Sequence, residues 1–456
     1  AVLVHAAVTA LVFVVGKYLL GNPRLAMFFA VLFGVHPVHV EDVSWISCAS
    51  ETLLGVSVLA AFAFWLKFRM SGVRAYLVAS LVFYAAAMFE KEPGAVFPAL
   101  IFSYAFLYSP EGESLVARVR KAAGSVLPFV PVAIVYLVAR AVATKGMLPH
   151  ATTQMSVTTM LMTLPSVLWF YLRSIIWPNN TSAFYDVVTV ATPELRSFIL
   201  PSIAVLCFVG ALLVWAYRSG QHRREIIFAL LWMAITISPA LYIRMFLPND
   251  FAHVRYLYLP SVGFMLLVTL AGSAAFHRLN LSQHATSVAI LLCLVATAGT
   301  LVQQQYWANN LALYTRSVEI APRNPTARNN LGTELMSRQR YEEAIAQYTT
   351  VLQDNPGFWL ANYNIGLAWL RMKDAERAKF YLDRAIAISP IDPDEHFFRG
   401  AANLELGRSS EAIQDFERAA SLDPARPVYR ETAERVRREM MASSAAFSAV
   451  AAPAKP

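Results

Sequence analysis

Residues 36 to 51, HPVHVEDVSWISCASE, concentrate the side chains of this chain that are best suited to chemistry. The segment holds two histidines, three carboxylates and a tryptophan, namely His36, His39, Glu41, Asp42, Glu51 and Trp45. Long apolar runs flank it on both sides, so we expect this polar segment at a membrane surface. Because an ionisable group at membrane depth is costly, a cluster of them at a helix end indicates a functional site. The alternative is a solvated polar loop.

The elements that carry this segment follow from the uneven composition of the chain. Hydrophobic residues make up 57% of the sequence and charged residues 15%, with a mean hydropathy of +0.46. Apolar windows long enough to span a bilayer recur up to about residue 303 and then stop. We therefore predict an all-α protein with three parts: a polytopic membrane region over 1–304, a repeat region over 305–441 and a disordered tail over 442–456. The membrane region begins inside an apolar run, so we expect an upstream span and outer loop.

Ten apolar stretches are predicted to span the membrane: 1–20, 24–40, 51–68, 74–89, 94–109, 124–143, 198–217, 225–243, 256–275 and 286–304. The basic residues between them fall in alternate loops, which the positive-inside rule assigns to the cytoplasmic side. This distribution explains the net charge of +8 without nucleic acid as a partner. The polar segment 36–51 and everything after residue 304 then lie on the outer side.

One further apolar stretch, 159–177, does not fit this alternation as a span. We predict an interfacial or re-entrant helix, interrupted by Pro165 and held against the outer face within the long segment 144–197.

The C-terminal third contains an internal repeat with a period of 34 residues. Three kinds of position recur with this period. The small position is Gly332, Gly366 and Gly400, the large position is Tyr348, Leu382 and Phe416, and the helix-terminating position is Pro322, Pro356, Pro390 and Pro424. This is the tetratricopeptide period. Arg399 and Asn403 depart from it, because they replace apolar residues of the other units. Such repeats stack into an α-solenoid that binds a peptide or protein, or acts as a spacer. Candidate contact residues for an acceptor or partner are Asn329, Asn362 and Tyr363.

Three segments carry a resemblance to a known family: HPVHVEDVSWISCASETLLG at 36–55, FEKEPGAVFPALI at 89–101 and RYLYLPSVGF at 255–264. Together with the repeats after the last span, they resemble the transmembrane and tetratricopeptide-repeat proteins related to protein O-mannosyltransferases, of the GT-C superfamily. The resemblance implies transfer of a sugar from a polyprenyl-phosphate donor to an acceptor on the outer face, with the repeats on that same face. Two departures stand out. Such enzymes usually carry an acidic catalytic residue in the first outer loop, a region that we expect upstream of this sequence, and Ala49 and Ser50 stand where a basic residue usually precedes the acidic one.

Glycosyl transfer needs a carboxylate that accepts a proton from the acceptor and cations that stabilise the leaving phosphate. The candidate bases are Glu41, Asp42, Glu90 and Glu92. The candidate phosphate ligands are Lys91, Arg244, Arg255 and Tyr256. The alternatives are a self-neutralising surface turn for Glu90 to Glu92 and an interfacial anchor for Arg255 and Tyr256.

His36 and His39 share a face if the chain is helical after Pro37, which suits a divalent metal ion. We favour the alternative that they orient Glu41 or a lipid phosphate by hydrogen bonds.

The favoured function is lipid-linked sugar transfer, with a protein acceptor presented by the repeats. An oligosaccharide polymerase or ligase is a second hypothesis. A non-catalytic scaffold that recruits envelope or secretion partners is a third, and transport is a weaker option. Alanine-rich usage and short loops favour a bacterial inner membrane with periplasmic repeats, against an endoplasmic reticulum with lumenal repeats.

Overall fold

The computed structural model describes residues 1–144, 155–246 and 250–450. The chain divides into two compact units, Ala1–Ala308 and Asn309–Pro456, which are called the membrane unit and the repeat unit below. Every regular element in the described residues is a helix, so the predicted all-α fold class is confirmed.

The α-helices of the membrane unit, in chain order, are α1 Val2–Leu20, α2 Pro23–Val35, α3 Val40–Ser44, α4 Ala49–Ser71, α5 Arg74–Glu90, α6 Phe97–Leu107, α7 Leu115–Val126, α8 Val130–Ala143, α9 Val157–Ile176, α10 Leu200–Ser219, α11 Arg223–Ile237, α12 Pro260–Arg278 and α13 Ala285–Gln304. Short 3-10 turns connect several of them. Their common core is apolar and aromatic, with Trp65, Trp232 and Tyr84 among its largest fully buried side chains.

Eight helical stretches of the described residues are long and apolar enough to cross a membrane: Val2–Leu20, Ile46–Ser71, Leu115–Ala143, Val157–Ile176, Leu195–Ser219, Arg223–Met245, Pro260–Arg278 and Ser282–Trp307. A ninth is counted if Pro23–Val35 and Pro37–Ser44, which meet at a bend of 45°, form one span. The protein is therefore an integral membrane protein. The predicted spans 74–89 and 94–109 correspond to shorter helices, α5 and the stretch Glu92–Leu107.

Contacts between α4 and α5 show which way the short helix α5 runs. The two helices pack against each other, and the Ser80 hydroxyl of α5 donates to the Ala61 carbonyl of α4 at 2.8 Å. Beyond the end of α5, Lys91 forms an ion pair with Glu51 in the first turn of α4. Since α5 brings the chain back beside the start of α4, Lys91 lies on the same side of the membrane as Glu51.

Helix α9 continues through Pro165 without a break, so the predicted interruption is wrong. Its contacts tie it to the start of α10 and the end of α13. The Ser166 hydroxyl bonds the Ser197 carbonyl just before α10, and beyond the end of α9 the Asn179 carbonyl accepts from Gln303 at 2.9 Å. The interfacial or re-entrant position on the outer face stays a prediction, and α9 is itself long and apolar enough to cross a membrane.

The repeat unit contains eight described α-helices: α14 Asn310–Ile320, α15 Pro325–Ser337, α16 Tyr341–Asp354, α17 Trp359–Arg371, α18 Ala375–Ile388, α19 Pro393–Glu405, α20 Ser409–Leu422 and α21 Pro427–Val450. Successive helices pack against each other in antiparallel pairs joined by short turns. The last helix, α21, continues past residue 441 to Val450, through positions where the disordered tail was expected. Residues 451–456 of that tail lie outside the described residues.

The 34-residue period has a direct structural cause. A methyl group added at Gly332 would lie 2.4 Å from the Tyr348 ring, and the equivalent positions Gly366 and Gly400 meet Leu382 and Phe416 just as closely, at 2.7 and 2.8 Å. Only glycine lets the first helix of each unit approach the large side chain of the second helix so closely. A small residue thus faces a large one at the recurring positions of all three units.

Candidate functional site

Two short helical segments deliver the polar residues of the membrane unit to one place. Chain 36–51 forms a 3-10 turn at Pro37–His39 and the five-residue helix α3, and then enters α4 after a second turn. A third turn, Val254–Leu257, precedes α12. Gly55 in α4 allows the chain after this third turn to pack closely against α4, because a methyl group at Gly55 would lie 2.6 Å from the Tyr258 ring.

Glu41 and Arg255 form the centre of the site. The Arg255 guanidinium donates from Nη1 to Glu41 Oε1 at 3.2 Å, and the Arg255 backbone N–H donates to Glu41 Oε2 at 3.2 Å. Glu41 is fully buried, whereas the Arg255 side chain is 20% exposed. Burial lowers the pKa of Arg255, but Glu41, Tyr256 and Cys48 together outweigh this and hold the pKa above its usual range. Arg255 is therefore a permanent cation with one side open.

A second ion pair lies beside the first. Lys91 donates to Glu51, which is 6% exposed, while the Lys91 side chain is 26% exposed. Both cations lie against one aromatic ring: Lys91 Nζ is 5.6 Å from the centroid of Tyr256, and Arg255 Cζ is 5.3 Å from it. The five residues Glu41, Asp42, Glu51, Lys91 and Arg255 are called the charge cluster below.

Asp42 is the member of the charge cluster that lacks a partner. It is fully buried, and neither carboxylate oxygen has a hydrogen bond among the described residues. Its electrostatic neighbours are Glu51 and Glu41, which repel it, and Arg255 and Lys91, which attract it. A buried carboxylate without a hydrogen bond is costly. The protein therefore retains at this point a polar group that stability alone does not favour.

Sequence reasoning missed two residues that border the charge cluster. Tyr185 lies in the loop after α9; burial and, secondarily, the nearby Glu41 carboxylate raise its pKa, and its hydroxyl accepts from the Ser182 backbone N–H at 2.8 Å. His253 is 4% exposed and pairs through Nε2 with Asp250 at 3.2 Å. Both lie far in sequence from 36–51, and no local motif marks them.

The two histidines of the segment 36–51 do not contact Glu41 by hydrogen bonds. His36 Nδ1 accepts from the Val38 backbone N–H at 3.4 Å, and His39 Nε2 lies 3.4 Å from the Ser261 hydroxyl. Glu41 is oriented by Arg255 instead, so the predicted orienting role toward Glu41 is wrong. No group of three or more His, Cys, Asp or Glu side chains within the described ranges is arranged to hold a metal ion.

Three other predicted site residues lie at the edge of the cluster or outside it. Glu90 is exposed, and Glu92 is exposed and paired with Arg140 at 2.8 Å. These two carboxylates flank Lys91 but point away from the buried carboxylates. Arg244 is half-buried on the 3-10 turn Ile243–Met245, and its Nε has no hydrogen-bond partner among the described residues.

The predicted contact residues of the repeat unit differ in accessibility. Asn362 is fully buried, so it is not presented to a partner in this structure. Asn329 is 5% exposed and accepts from the Asn364 side chain at 2.9 Å, and Asn364 is half-buried. Tyr363 is half-buried and packs against Phe398.

Comparison with known proteins agrees with this architecture. Two family profiles described as tetratricopeptide repeat match residues 329–395 and 396–426. Protein O-mannosyl-transferase TMTC3 of Mus musculus is 25% identical over 470 residues, which covers 92% of this chain and 50% of that protein. Protein O-mannosyl-transferase TMTC1 of Homo sapiens is 24% identical over 424 residues, with 80% and 46% covered.

Among solved structures, the first tetratricopeptide domain of Spaghetti (RPAP3) bound to an HSP90 peptide matches with 23% identity and a TM-score of 0.25, covering 26% of this chain and 93% of that one. The chain spans about half the length of the curated relatives named above. The resemblance to transmembrane and tetratricopeptide-repeat proteins of the O-mannosyltransferase type, predicted from three short segments, is thereby confirmed over most of the chain.

Proposed function

We propose that the membrane unit transfers a sugar, of the mannosyl type that the relatives' names indicate, from a polyprenyl phosphate to an acceptor hydroxyl on the outer face. One observation carries the proposal: Lys91 and Arg255 lie against the same Tyr256 ring, each paired with a buried carboxylate and each partly exposed. Two cations that face one small region provide a site for a phosphate, and Arg adds a bidentate geometry. Glu51 and Glu41 neutralise them until the donor arrives.

The carboxylates suited to proton transfer are Glu41 and Asp42, because they lie beside Arg255, whereas Glu90 and Glu92 are exposed. In the proposed reaction the acceptor hydroxyl gives its proton to one of these carboxylates, and its oxygen forms a bond to C1 of the sugar. The C1–O bond to the phosphate breaks, and its electron pair remains on the polyprenyl phosphate. Arg255 and Lys91 stabilise the charge of that leaving group.

The repeat unit would bind the protein acceptor or a partner, through half-buried residues such as Tyr363 and Asn364. We place the charge cluster and the repeats on the extracytoplasmic side, which is the periplasm in a bacterial inner membrane or the lumen in an endoplasmic reticulum. The basis is the loop charge distribution.

The test uses the full-length protein in liposomes with radiolabelled polyprenyl-phosphate mannose and an extract of extracytoplasmic proteins. We expect label to move into protein with the wild type and to fall at least about 100-fold with Glu41→Gln or Arg255→Ala. Lys91→Ala, which removes a more exposed cation, should cost about tenfold. Lys121→Ala is the matched control, because it breaks another Lys–Glu pair, that of Lys121 in α7 with Glu113, which the basic residues around it assign to the cytoplasmic side.

Two outcomes oppose the proposal. If Lys121→Ala lowers transfer as much as Lys91→Ala, the effect of the Lys91 variant does not come from a phosphate site. If no label moves while the repeat unit captures a defined partner, the chain is a scaffold.

A further inference from the structure

Two tryptophans lie next to the Glu41–Arg255 pair and have no role in the proposed reaction. Trp45 follows α3 directly, and its backbone N–H donates to the Glu41 carbonyl at 3.1 Å. Trp307 lies on the 3-10 turn after α13. The two indole rings are 5.8 Å apart between centroids and tilted by 48°. Both are half-buried, so part of this aromatic pair remains open.

The surroundings of this pair differ from those of an ordinary membrane anchor. Trp177, at the end of α9, is 69% exposed, as expected for a tryptophan that only marks the interface. Trp45 instead contacts a second indole, and its ring centroid lies 5.8 Å from the Cζ of Arg255. The aromatic pair thus borders the cation to which the proposed function assigns the donor phosphate.

We propose that Trp45 and Trp307 form the surface on which the hexopyranose ring of the donor stacks while its phosphate engages Arg255. The inference rests on the proposed function. One face of a pyranose carries C–H bonds of partial positive charge, which favour the negative face of an indole. The sugar and the phosphate share the C1–O–P linkage, so a sugar whose phosphate is held at Arg255 lies within reach of Trp45.

Trp307 is the less constrained half of this surface. Its indole N–H has no hydrogen-bond partner in the part of the chain that the structure describes. The Trp307 ring is therefore held by packing, of which the contact with Trp45 is part. Trp45 is the fixed half, because its backbone is tied to Glu41 on one side and its carbonyl accepts from the Cys48 N–H at 2.9 Å on the other.

The experiment measures equilibrium binding of two radiolabelled probes to the full-length protein in nanodiscs: polyprenyl-phosphate mannose, and the same polyprenyl phosphate without sugar. We expect Trp45→Ala to weaken binding of the mannosyl lipid about tenfold, and Trp307→Ala to weaken it about threefold, with little change for the bare phosphate. Trp45→Phe, which keeps an aromatic face, should recover most of the loss. Trp177→Ala is the control and should bind both probes as the wild type does.

The comparison of probes separates the possible failures. Equal weakening of both probes by Trp45→Ala would overturn the stacking surface, since Trp45 would then act only by supporting Arg255. Unchanged binding of the mannosyl lipid by Trp45→Ala would overturn it as well. If Arg255→Ala leaves both probes bound as tightly as in the wild type, the phosphate site of the proposed function fails instead, whatever the tryptophan variants do.

Discussion

The membrane unit and the repeat unit each contain a group of charges around a buried carboxylate, Asp42 and Asp415 respectively, and the two groups are built in opposite ways. In the repeat unit, Arg399 donates to both oxygens of Asp415 at 3.1 Å and to Asp383 at 3.0 Å, and Asn403 donates to Asp415 at 2.9 Å. In the charge cluster of the membrane unit, Asp42 has no hydrogen bond among the described residues. The four residues Asp383, Arg399, Asn403 and Asp415 are called the repeat network below.

This difference distinguishes a group of charges that stabilises the fold from one that is suited to function. A buried carboxylate whose oxygens are met by fixed donors holds two helices in register, and nothing is left over for a ligand. A buried carboxylate that lacks donors, beside cations that are partly open, costs stability and retains the capacity to react. The two departures from the repeat pattern noted in the sequence, Arg399 and Asn403, thus have a structural cause, since both bind Asp415.

The largest expected effect is on activity, from Asp42→Asn. This change removes a buried charge while it keeps the shape of the side chain, so the thermal stability of the membrane unit should stay equal or rise. Transfer of the sugar should fall by about 10²- to 10⁴-fold, as for loss of a general base. Transfer assays and thermal unfolding of the same preparation give the two numbers. A variant that is unstable as well as inactive would show that Asp42 stabilises the fold, as Asp415 does in the repeat network.

For the repeat network we expect the opposite, namely a loss of stability without a change in donor binding. Arg399→Ala leaves Asp415 buried with a single donor, Asn403, and should destabilise the repeat unit by about 3–5 kcal/mol, with no change in donor binding. The second unit carries Ile365, Trp369 and Tyr381 at the positions of Arg399, Asn403 and Asp415.

The triple variant Arg399→Ile, Asn403→Trp, Asp415→Tyr copies that apolar set, and we expect it to recover most of the lost stability. Chemical unfolding monitored by proteolysis measures both variants. A triple variant as unstable as Arg399→Ala would mean that the network is more than a replaceable packing device.

The smallest expected effect concerns Glu395, which is the exception within the repeat unit. It is fully buried, and neither oxygen has a partner among the described residues. Burial, together with repulsion from Asp392, raises the pKa of Glu395 from 4.5 to about 8. Since the folded state holds the proton more tightly, wild-type stability is full below pH 4.5 and falls as the pH rises through about 8.

Glu395→Gln should remove that fall. We expect the variant to match the wild type at pH 5 and to be more stable at pH 9, by on the order of 1 kcal/mol. Hydrogen exchange of α19 in the full-length protein, followed across this range, gives the comparison. A wild-type protein whose exchange in α19 does not depend on pH would show that Glu395 finds a partner in solution.

The sequence was sufficient for the fold class and the repeat period, because both depend on patterns that recur many times along the chain. It also selected Glu41, Asp42, Lys91, Arg255 and Tyr256, which the structure brings together. Their roles stay predictions until they are tested.

The partners of these residues were beyond the sequence. A run such as Glu90-Lys91-Glu92 does not reveal which side chain faces inward, since that depends on where α5 ends and how it packs on α4. Glu51, which accepts from Lys91, was therefore not selected as a site residue, and Glu92 proved to face Arg140. Asn362 was misjudged for a similar reason: its neighbour Asn364, two positions along α17, is the one that remains half-buried.

The ion pair between Glu41 and Arg255 joins residues 214 positions apart, and this separation imposes an order on biosynthesis. At a translation rate of about 5–20 residues per second, Glu41 leaves the ribosome roughly 10 to 40 s before Arg255 exists. During that interval the Glu41 carboxylate cannot pair with Arg255 and must be hydrated. A position at the end of a hydrophobic helix provides this, because water and lipid headgroups are within reach there, whereas mid-span they are not. The site thus lies where Glu41 can stay hydrated in an incomplete chain until Arg255 has been synthesised.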